Sequence, residues 1–457
     1  MKKITFVCLF FMWIGLMVSN ANNLNVSNVT MLNENTVNKT VEIQFDLSWE
    51  HSWRDAINWD AAWVFVKFRN ADSIWTQVQL TPTGYFNGNG TSNSIQVTAD
   101  SVGAFIYRDQ IGEGSFTATG LKFLWNYGAQ GLLSIINLEI RLFAMEMVYV
   151  PQGEFYAESV EVAGAQGMHP VIGNGLSPVL SYNGATIRID GENGVDFDGD
   201  GAIDNPAYPT GYKAFYIQKY ELTEGQFADF LNTLNADQQN YLYNGCLWSF
   251  NISLSLSQQN GIYQAAIPNR ACQSGEYFYL EMGCRFLSLS DWAGLRPMTH
   301  LEFDKAFRGP LSTQKDVDFD YAYETRGIVG EENGTETAQP GWGGYANHRS
   351  TDYSNPMVRS GIFATDSTDR QHSGASYYGI MEMYGNLCEY AVNLKASDFD
   401  AHQGNGNLSP DYDGYFGYSN VSNWPNPSSY YYNNEYNYDP IYGNEYYIGY
   451  RFVRTAE

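Results

Sequence analysis

Apolar and polar residues alternate strictly between residues 41 and 49. The apolar positions are Val41, Ile43, Phe45, Leu47 and Trp49. A period of two predicts a β-strand with one buried face. Further short apolar runs lie at residues 63–68, 74–80, 95–98, 104–107 and 121–125. Turn signals rich in Gly and Asn separate them, at 87–90 and 112–114. About seven short strands before residue 144 predict a β-sandwich whose aromatic residues form its core.

Two helix starts stand out in the second half of the chain. Thr223 is followed three residues later by Gln226, and Thr299 by Glu302, and each pair predicts a capping box ahead of a short amphipathic helix. We expect Glu302 and Arg308 on the second helix to be structural rather than catalytic. Residues 157–210 are rich in Gly, Asn and Ser and predict a long loop.

The chain is long enough for two domains. Its 457 residues exceed what one ordinary core accommodates. The sequence therefore predicts an α+β protein, with a β-sandwich at 22–144 and a second, irregular α+β domain at 145–457. The two halves join without a Pro- or Gly-rich linker, which predicts domains that pack against each other.

The N-terminus predicts a secretory signal peptide at residues 1–21. Lys2 and Lys3 precede an apolar run from Ile4 to Val18, and small residues surround Ala21. Cys8 lies too early in that run to become a lipidated first residue. The expected location is secreted, periplasmic or at the cell surface, with no membrane insertion by other segments.

The charge balance excludes one class of partner. The chain has 50 acidic and 25 basic side chains, a net charge of −25. Loss of Lys2 and Lys3 with the leader gives 23 − 50 = −27. Such a surface repels nucleic acid and anionic membranes and attracts divalent cations and basic partners. We therefore expect no nucleic-acid partner.

Candidate metal chemistry lies in the stretch from Gly379 to Tyr390. A Gly-Asn turn separates two carboxylates, Glu382 and Glu389, and the turn can direct them and the carbonyls of Gly385 and Leu387 to one point. An all-oxygen shell of this kind suits Ca²⁺. The alternative is a strand and turn with two solvated glutamates.

A second candidate Ca²⁺ loop lies in the Gly-rich segment. Its acidic residues recur at short intervals, at Asp196, Asp198, Asp200 and Asp204. An EF-hand would have Glu at its twelfth position, where this chain has Ala207, so the pattern is closer to a short extracellular Ca²⁺ loop. The alternative is a polar surface loop.

The Gly379–Tyr390 stretch resembles the signature of the formylglycine-generating, or sulfatase-modifying factor, family. Four further stretches resemble family phrases in the same order, at Met147–Phe155, Phe215–Thr223, Leu295–Phe303 and Gly449–Phe452. The resemblance implies a C-type-lectin-like fold for residues 145–457 and a Ca²⁺ site at Glu382, Gly385, Leu387 and Glu389. The family usually has Asn or Asp where this chain has Glu382, so a longer side chain must fit there.

The residues for the family's oxidation chemistry are not found at the matching positions. Formylglycine generators use two C-terminal cysteines to bind copper, because soft thiolates suit Cu(I). No cysteine follows Cys388, which itself takes the place of a signature Trp, and the six histidines lack H-x-x-x-H spacing. We therefore expect no copper. Cysteines 246, 272 and 284 allow one disulfide among them, and the sequence does not choose the pairing.

The window from 411 to 450 is crowded with Tyr and Asn and has no Lys, Arg, His or Cys. Such a composition is typical of an antibody-like contact surface, and the alternative is a low-complexity tail. The candidate ligand-binding residues are Tyr430, Tyr431, Tyr432, Asn433, Asn434, Tyr436 and Tyr438.

Two functions follow from these patterns. The first is a secreted, non-catalytic binding or structural protein that recognises a glycan or a secreted or cell-surface protein. Within it lies a narrower possibility, because the ending Gly449–Arg454 is similar to that of proteins diversified by retroelements. The alternative is an oxidoreductase of the sulfatase-modifying family with a displaced metal site.

Overall fold

The structure is a computed structural model. It describes residues 23–70, 74–158, 171–172, 186–192, 194–196, 202–239, 256–272, 288–310, 328–329, 337–338, 359–364, 373, 375–383, 386–392, 399, 402–408, 431–432 and 448–457. The candidate residues Asp198, Asp200, Gly385, Tyr430, Asn433, Asn434, Tyr436 and Tyr438 lie outside these ranges.

The first third of the chain consists of strands and turns in its described residues, as the alternation predicts. The strands are β1 (Asn25–Asn35), β2 (Thr40–Arg54), β3 (Trp59–Arg69), β4 (Thr76–Gln77), β5 (Asn89–Gly90), β6 (Asn93–Val97), β7 (Ala104–Arg108), β8 (Gly112–Asn126) and β9 (Glu139–Val150).

In its described residues, the rest of the chain has shorter strands and two helices of eight or nine residues, α1 (Glu224–Leu231) and α2 (His300–Arg308). The strands are β10 (Phe155–Glu158), β11 (Val171–Ile172), β12 (Thr186–Ile189), β13 (Val195–Asp196), β14 (Phe215–Gln218), β15 (Leu256–Gln259), β16 (Ile262–Ala265), β17 (Arg296–Pro297), β18 (Ile328–Val329), β19 (Thr337–Ala338), β20 (Cys388–Tyr390), β21 (Tyr431–Tyr432), β22 (Ile448–Gly449) and β23 (Phe452–Thr455). The mostly antiparallel, β-rich α+β architecture is confirmed.

Two layers of strands face each other across a first core. One layer has the order β1-β2-β8-β5, and the other runs β6-β7-β3-β9-β14-β23-β17. They join through the single pair of Arg54 with Trp59 at a corner. The alternating residues of β2, such as Phe45 and Trp49, pack in this core against Phe123 of β8 and Val64 of β3. Most aromatic residues of β2, β3 and β8 are buried, as predicted, whereas Trp53 and Trp59 are half-buried.

Strand β9 connects the two halves of the chain. It pairs with β3 along its whole length, and its last residues also pair with β14. The face of β9 that points away from the first core forms a second core. Trp63 and Phe65 of β3 belong to this second core, together with Phe230 of α1 and Trp292. One sheet therefore extends across the predicted boundary at residue 144, with strands packed on one face and helices on the other.

One predicted turn is wrong. Residues 112–114 form the start of β8 and pair with Ser52, Trp53 and Arg54 of β2. Gly112 and Gly114 flank Glu113 at the exposed start of β8, and their φ angles are 159° and 113°. Glycine marks an irregular strand here rather than a chain reversal, because the long partner β2 continues to offer backbone hydrogen bonds.

Both predicted capping boxes are confirmed. The Thr223 hydroxyl accepts from the N–H of Gln226, and that of Thr299 accepts from the N–H of Glu302, with the reciprocal side-chain bonds present. Helix α2 packs its Phe303 and Phe307 into a third core with Ile217 of β14 and Val453 of β23. Among the described residues, no helix is long and apolar enough to cross a membrane.

Candidate functional site

The motif stretches named in the sequence converge in the structure. Strands β17, β23 and β14 are neighbours in the sheet, and β9 follows β14. They carry the stretches that begin at residues 295, 449, 215 and 147. The Gly379–Tyr390 stretch lies against them, because the N–H of Met381 donates to the carbonyl of Lys219 at 2.9 Å. Stretches that lie about 60 residues or more apart in the chain thus form one site.

Arg451 is the centre of this site. Its Nε and Nη2 donate to Oε1 of Glu389 at 2.9 and 2.6 Å. Its Nη1 donates to the carbonyl of Gln218 at 2.8 Å, and Nη2 to that of Met381 at 2.9 Å. Three stretches therefore meet on one fully buried guanidinium, whose planar set of donors suits such a junction.

Glu221 is a second buried carboxylate that fixes the motif turn. Its Oε1 accepts from the N–H of Leu387 at 3.0 Å, and its Oε2 accepts from the Asn386 amide. Asn386 has φ of 57°, in the left-handed region that Asn tolerates better than most residues. The Glu221 side chain thus holds the turn in the conformation that the Gly-Asn pair favours.

Glu382 occupies a strained position in the same turn. Its φ is 55°, which is uncommon for a residue with a long side chain. Its Oε1 accepts from the N–H of Gly361 at 3.0 Å. Strained backbone persists only where the surrounding structure holds it, and it occurs preferentially at functional sites. The strain therefore marks this turn as a candidate site.

Burial sets the electrostatics of the cluster formed by Glu221, Glu382, Glu389 and Arg451. It raises the pKa of Glu382 to about 7, although the Arg451 guanidinium opposes the shift. Burial and the neighbouring Glu389 raise the pKa of Glu221 well above its usual range. Burial also raises the pKa of Glu389. Three carboxyl groups share one guanidinium, so the cluster can hold a proton or another cation.

Two oxygens of this cluster have capacity for a further ligand. The Oε2 atoms of Glu382 and Glu389 are buried and have no hydrogen-bond partner among the described residues. A buried carboxylate oxygen left unsatisfied is costly, which favours a proton or a metal ion beside it. Within the described part of the chain, no group of three or more His, Cys, Asp or Glu side chains is arranged to hold a metal ion.

A second buried charge group, which the sequence interpretation missed, lies next to the first. Lys219 Nζ lies 3.1 Å from Asp60 Oδ2 and 3.2 Å from Glu146 Oε2. Burial opposes the charge of Lys219, but Asp60 and Glu146 together raise its pKa. Asp60 also accepts from the Trp49 indole at 3.0 Å. The sequence signal for this group was the presence of an acidic residue within each of two apolar strands, Asp60 in β3 and Glu146 in β9.

Two described strands of the Tyr/Asn-rich window, β21 and β22, pair with the strand that carries Glu389. Strand β21 pairs antiparallel with β20, joining Tyr432 to Glu389 and Tyr431 to Tyr390. Strand β22 pairs parallel with β20 on its other side, joining Gly449 to Glu389. The described residues on the two sides of the interval 433–447 therefore pair with opposite edges of the strand that carries Glu389.

The other predicted site residues fall in several places. Asp196 lies at the end of β13 and Asp204 in a turn, while the two aspartates between them lie outside the described ranges. The second Ca²⁺ loop therefore stays a prediction. Cys272 is buried in the second core. Cys246 and Cys284 lie outside the described ranges, so the predicted disulfide is also untested.

The structure describes three of the residues that the sequence predicts to be structural or at the surface, namely Glu302, Arg308 and His402. Arg296 Nη2 lies 2.5 Å from Glu302 Oε1, and Glu302 also closes the capping box. Arg308 Nε lies 3.7 Å from Asp304 Oδ1. Both residues therefore make structural contacts of the kind that the sequence predicts. His402 is exposed, as expected of a surface histidine, and His372 lies outside the described ranges.

Comparison with known proteins gives no relative. No protein-family model, no curated protein and no solved structure matches the chain.

Proposed function

We propose that this protein is a secreted, non-catalytic binding protein built on a sulfatase-modifying-factor scaffold. Its ligand, a glycan or a secreted or cell-surface protein, is recognised through the Tyr/Asn-rich segment. The main support for this proposal is that β21 and β22, the described strands of that segment, pair with the two edges of β20. Tyr provides large contact area at low conformational entropy cost, and Asn adds adaptable hydrogen bonds.

The burial of the charged cluster supports a structural role for it. Glu389 and Arg451 are each 1% exposed, and Glu382 is 5% exposed. A catalytic acid or base must come within hydrogen-bond reach of its substrate. Groups covered to this degree instead stabilise β20, the strand with which β21 and β22 pair.

The convergence of the motif stretches supports the scaffold. The resemblance concerns five stretches that are separate in the sequence, and a chain with a different fold could have placed them far apart. Instead, four are joined in one sheet and the fifth is bonded to it through Arg451. A C-type-lectin-like domain at residues 145–457 is therefore part of the proposal.

We also propose a structural Ca²⁺ ion beside this cluster. The Oε2 atoms of Glu382 and Glu389 and the predicted carbonyls of Gly385 and Leu387 are the hard oxygen ligands that Ca²⁺ prefers. We expect a higher melting temperature in millimolar Ca²⁺ than in EDTA, since a ligand at a hundredfold excess over Kd stabilises by about 2.7 kcal/mol. Identical midpoints would reject this ion and the one proposed at Asp196–Asp204.

The binding proposal is tested on a glycan and surface-protein array. The wild-type protein is compared with a variant in which residues 433–447 are replaced by a Gly/Ser linker of equal length. We expect ligand signals that the variant loses while its melting temperature stays near that of the wild type. Signals that both proteins share would exclude the segment as the recognition surface.

One assay separates this proposal from the oxidoreductase alternative. The protein is incubated with Cu(I), oxygen and a Cys peptide carrying a sulfatase motif, and the products are weighed by mass spectrometry. We expect the peptide thiol to persist. Conversion of the thiol to the aldehyde mass would overturn the non-catalytic proposal.

A further inference from the structure

Three aliphatic side chains project from one end of the strand layers. Val37, in the turn between β1 and β2, is 89% exposed, and Leu133 and Ile136, in the connection between β8 and β9, are 83% and 75% exposed. The two loops are adjacent, because Lys39 Nζ donates to the carbonyl of Leu133 at 3.0 Å. We call these three residues the apolar tip.

The loops hold the tip in place. Oδ1 of Asn35 accepts from the N–H groups of Val37 and Asn38 at 3.1 and 2.9 Å, which fixes the first turn. The N–H of Gly128 donates to the carbonyl of Lys39 at 3.2 Å, which ties the second loop to the first. The outward direction of the tip is therefore a property of ordered turns.

The second loop also sorts its apolar residues into two sets. Leu132 and Ile135 pack against the first core, whereas their neighbours Leu133 and Ile136 point to solvent. Leu132 and Ile135 thus fill the first core from this loop, and Leu133 and Ile136 remain outside it. Single exposed aliphatic residues are common on protein surfaces, but three at one projection form a patch of the kind that marks an interaction site.

The two loops of the tip themselves carry a single charge, that of Lys39. Residues 35–39 and 127–138 include Lys39 and no acidic residue. The carboxylates that border them are engaged, because Glu34 accepts from the Tyr127 hydroxyl at 2.8 Å and Glu139 pairs with Arg69 at 2.9 Å. At the opposite end of the layers, Ile57 and Ile111 are 51% and 71% exposed. The turns at that end carry Asp55 and Asp109.

We propose that the apolar tip docks on a lipid bilayer surface. Three side chains bury a few hundred Å² at most, well below the roughly 800 Å² per partner of a stable protein interface, so a second copy is a poor occupant. A lipid surface needs no matching contour and accepts projecting aliphatic side chains beside a Lys. The contact is peripheral, and the overall charge of −25 makes neutral lipid the better surface.

Vesicle flotation tests the proposal. Wild-type protein without residues 1–21 is mixed with phosphatidylcholine vesicles, and in a second arm with vesicles that include phosphatidylserine. The test variant is Val37→Asn with Leu133→Asn and Ile136→Asn, which leaves net charge unchanged. The matched control is Ile57→Asn with Ile111→Asn, at the opposite end.

We expect the wild type and the control to float with phosphatidylcholine vesicles and the test variant to bind at least about tenfold less. Equal melting temperatures establish that all three proteins are folded. Failure of the wild type to float with either vesicle, or equal flotation of the test variant, would overturn the proposal. A wild-type dimer that the test variant loses in light scattering would assign the tip to a second copy instead.

Discussion

At the scale of single residues, Arg451 joins three of the five motif stretches. It contacts Glu389 and the carbonyls of Gln218 and Met381. The sequence showed Arg451 only as part of a terminal phrase, and showed Glu221 only as part of another. Their roles depend on contacts over more than 60 residues of chain, which local patterns do not encode.

Replacing Arg451 by Met is expected to destabilise the protein by about 3–5 kcal/mol, because it leaves Glu389 buried beside two other carboxyl groups without their cation. Chemical denaturation measures the change. Arg69→Met is the matched control, since its partner Glu139 is half-exposed and the loss there should stay below about 1 kcal/mol. Equal losses for the two variants would contradict the central role of Arg451.

Glu382 gives the cluster a defined pH dependence. Its pKa in the folded protein is about 7, above the ordinary 4.5, so the folded state binds the extra proton. Its contribution to stability is therefore fully present below about pH 4.5 and is lost as pH rises through 7.

We expect Glu382→Gln, in EDTA, to be more stable than the wild type at pH 8, with the difference vanishing near pH 5. About 1.4 kcal/mol per pKa unit bounds the gain at a few kcal/mol. Urea unfolding at both pH values measures it. A constant difference between the two proteins would show that Glu382 does not titrate in this range.

At the scale of elements, the capped helices were predictable and the short strands were not. The starts of α1 and α2 follow from Thr223 and Thr299, because a capping box is a local interaction. Strand β17 has two residues and forms through its pairing with β23. Nothing within two residues carries a period, so such strands follow from tertiary contacts alone.

Thr299→Val is expected to cost about 1–2 kcal/mol, because its hydroxyl accepts from the N–H of Glu302 and donates to the carbonyl of Pro209. Thr299→Ser keeps both bonds and should recover most of the stability. Thermal melts of the two variants provide the comparison. A serine variant as unstable as the valine variant would assign the loss to packing of the methyl group.

At the scale of the whole molecule, the first third of the chain is joined to the rest through side chains as well as strands. The Trp63 indole donates to the carbonyl of Ala293 at 2.7 Å. Lys67 Nζ donates to that of Trp292 at 2.6 Å. The lack of a linker in the sequence predicted domains in contact. It did not predict a sheet that continues from one into the other through β9.

A fragment of residues 22–158 is therefore expected to expose the second-core face of β3 and β9, including Trp63, Phe65 and Met145. It should bind the dye ANS and unfold with low cooperativity, since an open apolar face of this size is rarely stable in water. Dye fluorescence and thermal melts measure both properties. A cooperative melt without dye binding would show that the segment folds independently.

The attachment of the Tyr/Asn-rich segment has a consequence for how the protein can evolve. Strands β21 and β22 are held to β20 by main-chain hydrogen bonds, which do not depend on the identity of the side chains. Exchanges or changes of length between 433 and 447 therefore leave both attachments and the Arg451–Glu389 pair in place. A collection of variants randomised over this interval would vary the proposed recognition surface on a constant framework.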